Sequence, residues 1–183
     1  MTKSILRELH DINSLKSRRK STVLIFFCFL TGIVTGGVVA SYRLLLDKIA
    51  DFRHDFFKDM SLERVIIGIL IFILIGIAVQ FMLSRYPMIS GSGIPQVNGL
   101  LQKKVGFNWF PELICKFVGG VLAIGTGMSL GREGPSIHLG ALIGDGINEL
   151  SKRTSVEEKY LVTCGASAGL SAAFNAPLAG AIF

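Results

Sequence analysis

Three stretches of this chain, residues 21–42, 65–84 and 161–183, contain no Asp, Glu, Lys or Arg, and each runs to about 20 residues or more. A helix rises about 1.5 Å per residue, so a run of that length crosses the ~30 Å hydrocarbon layer of a bilayer. Half of the sequence is hydrophobic and only 17% is charged, against about 25% charged residues in an ordinary soluble domain. The runs and the composition agree on an all-α, polytopic membrane protein. Two shorter uncharged pieces, 117–131 and 134–144, are too short to cross alone and predict re-entrant or broken helices.

The formal charge of +6 suggests nucleic acid until its placement is read. Six of the 19 basic residues lie in the first twenty positions, and Lys16, Arg18, Arg19 and Lys20 directly precede the first apolar run. That is the pattern of a cytoplasmic flank, which puts the N-terminus inside the cell and excludes a nucleic-acid tail as the reading. The apolar run is also too long for the core of a cleaved signal peptide. Residues 1–20 read as a basic interfacial segment, with Ile5, Leu6, Leu9 and Ile12 on one helical face ahead of a basic hinge. Residues 21–183 read as the transmembrane domain. Within the first span, Gly32, Gly36 and Gly37 predict close approach of another helix.

After Tyr42 the acids Asp47, Asp51, Asp55, Asp59 and Glu63 interleave with Arg43, Lys48, Arg53 and Lys58. The spacing predicts helix emerging into water with local ion pairs, His54 included in the solvated face. The second run ends at Arg85, Tyr86 and Pro87, an interface signal followed by a helix stop. Cys28, Cys115 and Cys164 are odd in number and far apart; they suggest neither a disulfide framework nor a metal site, and read as packing residues.

From residue 90 onward the texture changes, with Gly and Pro set at intervals into apolar sequence. Non-helical backbone at membrane depth survives only where it is buried in protein or lines a cavity, so these breaks predict a polar path inside a bundle. In SGSGIP, residues 90–95, Gly91 and Gly93 permit turns and Pro95 suits a first helical turn. A helix starting at Ile94 would aim its free N–H groups, with the Ser92 hydroxyl, at a small anion. A plain turn capped by Ser92 accounts for the same residues.

GREGP repeats the arrangement: Gly131 and Gly134 flank Arg132 and Glu133, and Pro135 follows. FNAPLAG gives a third start, with Asn175 as the expected N-cap and Pro177 just inside. Several positive helix ends facing one anion would hold it without a full cation that binds too tightly for turnover. Glu133 then has a role. A carboxylate at membrane depth is expensive, and at a helix N-terminus its oxygens would take the donors meant for a permeating anion until a proton releases it. An Arg132–Glu133 ion pair is the structural alternative, although neighbours in a helix do not face each other. His138, five residues on, reads as a buried neutral histidine or as a proton relay.

Residues 165–169 match the G-x-S-x-G of serine hydrolases around Ser167. That nucleophile needs a strand before it and a helix after it, whereas the flanks here are one uncharged Ala/Gly/Leu run. An intramembrane hydrolase using Ser167 and a non-transporting membrane fragment are the alternative functions.

With GSGIP at 91–95, GREGPS at 131–136 and GASAGLSAAFNAPLAGAIF at 165–183, the chain resembles the CLC family of chloride channels and chloride/proton antiporters. The resemblance implies chloride and protons as cargo, a plasma-membrane location, homodimers with one pore per subunit, and no cofactor or metal. It implies that Ser92 and the backbone after it line the central chloride site, that Glu133 is the external gating glutamate, and that the segment from Asn175 to Pro177 belongs to packed helices beside the pathway. Serine at position 92 resembles the chloride-preferring pattern. Each subunit of the family holds two inverted halves. The resemblance therefore implies that residues 21–183 are an incomplete first half, a truncated chain without the family's second, proton-relaying acid and not expected to form a complete anion path alone.

Overall fold

The computed structural model describes the backbone of residues 2–58 and 61–182, and the side chains within them from residue 21 onward. The amphipathic face at Ile5, Leu6, Leu9 and Ile12, the basic hinge, and Asp59 lie outside the described side chains. Among the described residues there are seven α-helices and no strand. They are α1 (Thr2–Phe56), α2 (Leu62–Arg85), α3 (Ile94–Leu101), α4 (Trp109–Gly125), α5 (Glu133–Leu150), α6 (Ser155–Phe174) and α7 (Pro177–Ile182), with a 3₁₀ turn at Pro87–Ile89.

The first span does not stop at Tyr42. The apolar helix runs unbroken over Ser21–Phe56, 36 residues, because a buried stripe carries it past the charges: Thr31, Thr35, Val39, Tyr42 and Leu46 are all buried, at the three- and four-residue spacing of one helix face. Tyr42 and Leu46 pack with Leu139 of α5 and with Phe117 and Val121 of α4. The interleaved charges after Tyr42 are accordingly not a uniformly solvated face with local pairs. Arg43 donates to the Ala172 carbonyl at 2.6 Å, Arg53 donates to the Gly125 carbonyl at 3.0 Å, and Asp47 pairs with Arg132 at 3.3 Å. Two of these cations thus satisfy the orphan carbonyls that helix C-termini leave. His54 stands exposed beside Asp55, as the spacing predicted.

The tightest helix contact is not where Gly32, Gly36 and Gly37 suggested. A Cβ on any of those three would meet nothing within 4 Å. The close seam joins α5 to α6, where the Cα of Gly140 lies against the Gly165 carbonyl, Gly144 against the Leu161 carbonyl and Gly169 against the Ser136 carbonyl. Backbone-to-backbone approach of this kind needs glycine on the facing ridge. Ile137 and Ala141 of α5 meet Val162 and Ala166 of α6 there, with Val97 and Leu100 of α3 completing the cluster.

The third uncharged run is two elements rather than one span. Asn175 adopts the left-handed conformation (φ 53°, ψ 37°) and closes the C-terminus of α6, its N–H bonded to the Ser171 carbonyl. Asparagine is among the few side chains that tolerate this conformation, so Asn175 caps the helix before it instead of opening the one after. Pro177 does begin a helix, as expected. The second span ends where the sequence predicted, with Tyr86 as C-cap and the Arg85 guanidinium 5.4 Å from the Tyr86 ring centre.

Candidate anion-binding site

The two glycine-led helix starts meet. Gly93 is the N-cap of α3 at φ 84° and Gly91 stands at φ 61°, a region that other residues adopt only with strain, so both glycines are required by the loop. Arg132 is the N-cap of α5, with Glu133 the first helical residue and Pro135 in the first turn. The loops touch at Gly134, where a Cβ would lie 2.7 Å from the Ser92 Cβ and 2.9 Å from the Ser92 carbonyl oxygen. Behind this contact Gly93 rests on the imidazole of His138, one and a half turns along α5 from Glu133. The helices that carry Ser92 and Glu133 are thereby held N-terminus to N-terminus. The third start, α7, packs back on α6 through Gly180 against Ser171 and Ser167.

At the junction the Ser92 Oγ accepts from the Ile94 N–H at 3.4 Å, a long bond that leaves its second lone pair and its proton uncommitted. Gly91, Ser92, Ile94 and Pro95 are exposed, while Glu133 and Gly134 are half-buried. The Glu133 carboxyl turns back over the preceding loop, Oε2 lying 2.9 Å from where a Gly131 Cβ would be. Arg132 does not pair with Glu133: its guanidinium goes to Asp47 of α1. That ion pair neutralises the nearest arginine, so the helix ends and the buried ammonium of Lys116 on α4 are the local sources of positive potential. Ser136 closes the first turn of α5 by donating to the Arg132 carbonyl at 2.8 Å.

A cavity of about 340 Å³ opens beside the junction, lined by Gly91, Ser92, Gly131, Gly134 and Pro135 together with Lys116 of α4. Lys116 is a cavity-lining side chain that the motifs did not reveal. It is 5% exposed, and its ammonium donates to the Ile89 and Gly91 carbonyls, each at 2.7 Å. It therefore fastens the loop that presents Ser92. It also lies close enough to His138 to act on it electrostatically. His138 is fully buried, tilted against Phe107 at 5.3 Å, and neither ring nitrogen has a hydrogen-bond partner. The sequence around Lys116, WFPELICKFVGG, shows only two charges, Glu112 and Lys116, one helical turn apart inside apolar residues. That spacing suggests an i,i+4 pair, yet Lys116 turns to the loop carbonyls while the buried Glu112 leaves its Oε2 unpartnered.

Ser167 sits in the middle of α6, which is continuous helix through residues 165–169. The strand-to-helix elbow that a hydrolase serine needs is not formed there, and His138 packs against Gly93 and Phe107.

The described residues thus form an all-α bundle in which two interrupted helices meet N-terminus to N-terminus, with an acid in the first turn of one of them, the arrangement of membrane proteins with broken helices. Residues 75–183 match the voltage gated chloride channel family, and the chain belongs to that family. It is 33% identical over 184 aligned residues to the H(+)/Cl(-) exchange transporters ClcA of Salmonella schwarzengrund and Salmonella agona, covering 97% of this chain and 39% of each relative. A slow cyanobacterial Cl-/H+ antiporter of known structure superposes with a TM-score of 0.81 at 33% identity, over 86% of this chain and 38% of that one. The chain thus spans about two-fifths of the length of the relatives it matches.

Proposed function

We propose that this chain supplies the anion-binding part of a chloride transporter of the plasma membrane, with its N-terminus in the cytoplasm. Chloride is held by the N-terminal N–H groups of α3 and α5 together with the Ser92 hydroxyl. Glu133 occupies that place when ionised and leaves it when protonated, so one carboxylate serves as gate and proton carrier. In the longer protein the unit works as a homodimer exchanging chloride for protons. The observation that carries this reading is the Ser92–Gly134 contact. It sets two positive helix ends side by side and puts Glu133 within the first turn of one of them. Dipole ends and neutral donors stabilise an anion in a low-dielectric site, and the Lys116 ammonium that lines the cavity turns its donors to the Ile89 and Gly91 carbonyls.

The test is chloride and proton flux in liposomes as a function of pH, with the longer protein carrying Glu or Gln at position 133. Glu133→Gln mimics the protonated gate: chloride flux loses its pH dependence and coupled proton movement disappears. Chloride flux that stays equally pH-sensitive in both proteins removes Glu133 from the gate.

A further inference from the structure

Cys28 and Cys164 read from the sequence as unconnected packing residues, 136 positions apart. In the fold they meet at the α1–α6 interface, where both line one cavity and their thiols lie close enough to interact. The cavity, of about 560 Å³, is lined also by Phe29, Tyr160 and Ser167, and both cysteines are partly exposed to it. Two neighbouring thiols that open on one cavity from packed helices can be joined where their Cβ atoms come to the ~3.8 Å separation of a disulfide. Cys115, the remaining thiol, lies on α4 in the cavity beside Lys116 and has no part in this pair.

We propose that Cys28 and Cys164 form a modification site: a thiol pair that small disulfide oxidants close into a bond tying α1 to α6. One cysteine sulfur attacks the oxidant disulfide, giving a mixed disulfide and releasing one small thiol. The second cysteine sulfur then displaces the other small thiol and forms the protein S–S bond. Two electrons pass from the protein to the oxidant, and the two protein thiol protons end on the two released thiols. The apolar cavity selects the oxidant. It admits a lipophilic disulfide such as dithiodipyridine more readily than a charged peptide disulfide, because a charge entering that lining loses its hydration. The site does not depend on the transport reading, and its test uses the chain by itself.

The experiment treats the purified protein in detergent with dithiodipyridine, follows thiopyridone release by absorbance, and maps the products by mass spectrometry after alkylation. The expected product is one chain with a peptide pair linked through Cys28 and Cys164, lighter by two hydrogens, with two thiopyridones released for that link. Cys115→Ser leaves the link intact. Cys28→Ser leaves Cys164 as a stable pyridylthio adduct, and unfolding in denaturant before oxidation abolishes the preference for this pair. Persistent separate adducts on Cys28 and Cys164 in the folded protein overturn the proposal. So do a link that uses Cys115 or a second chain, and a lack of reaction at both thiols.

Discussion

Ser92 and Glu133 are short-range features: each is announced by glycines that permit its turn and a proline that fixes its first helical turn, so both were legible in the sequence. Lys116 was not, because its partners are backbone carbonyls 27 and 25 residues away, and no local pattern encodes a side chain that reaches across the bundle to a loop. Its contribution is measurable. Lys116→Met keeps the stem and removes the donors, leaving the Ile89 and Gly91 carbonyls short of a partner. Each charged hydrogen bond is worth about 1.5–3 kcal/mol, and relief of the buried charge returns part of that loss. The expected net destabilisation is about 1–3 kcal/mol by thermal unfolding in detergent. Chloride affinity by calorimetric titration falls by about tenfold or more, since the loop holding Ser92 is no longer pinned; tenfold is ~1.4 kcal/mol. An unchanged affinity would show that the lysine supports the fold without positioning the site.

Helix starts were easier to read than helix ends. α3, α5 and α7 each carry a proline within the first turn, because proline there acts through covalent geometry. Ends depend more on tertiary partners, which is why α1 runs past its charges, whereas α6 stops at Asn175 through a left-handed turn of its own backbone. The start of α6 carries a signal of its own in T-x-x-E. Thr154 accepts from the Glu157 N–H at 3.4 Å, and the Glu157 carboxylate takes the Thr154 N–H at 3.1 Å and its hydroxyl at 2.9 Å, a full capping box. These bonds from Thr154 hold the Glu157 carboxyl below its usual range. A depressed folded-state value stabilises the helix above the ordinary glutamate pKa of about 4.3, and that contribution is lost as pH falls through the folded value. Thr154→Ala should cost about 1 kcal/mol near neutral pH. Thermal melts between pH 3 and 7 should also show a shallower acid-side loss of stability than in the parent.

At the scale of the molecule, the composition and the uncharged runs disclosed a membrane bundle but not which helices would meet. Glycine spacing pointed to α1, whereas the intimate contact is between α5 and α6, because a glycine stripe says that approach is permitted and only the partner surface decides whether it happens. The same reasoning predicts where the bundle is brittle. A Gly165→Val side chain would overlap the Gly140 carbonyl and approach the Gly144 nitrogen, both backbone atoms that cannot swing aside. Overpacking typically costs 1–3 kcal/mol, and the value here should lie at or above the top of that range, read as loss of the monodisperse peak in detergent. Gly36→Val, with open space around it, should leave the peak intact.

The long first helix also behaves as a ruler. Arg43 and Arg53, ten residues apart on one rod, hold the last turns of α6 and α4 through the Ala172 and Gly125 carbonyls, which fixes the offset between those two helix ends at about 15 Å along α1. Substitutions between the two arginines leave that measure alone. A single inserted residue turns Arg53 by about 100° and moves it 1.5 Å, so it can no longer reach its carbonyl while Arg43 keeps its own. Seven inserted residues restore the direction but add about two turns of height. The segment between Arg43 and Arg53 is therefore fixed in length far more strictly than in spelling.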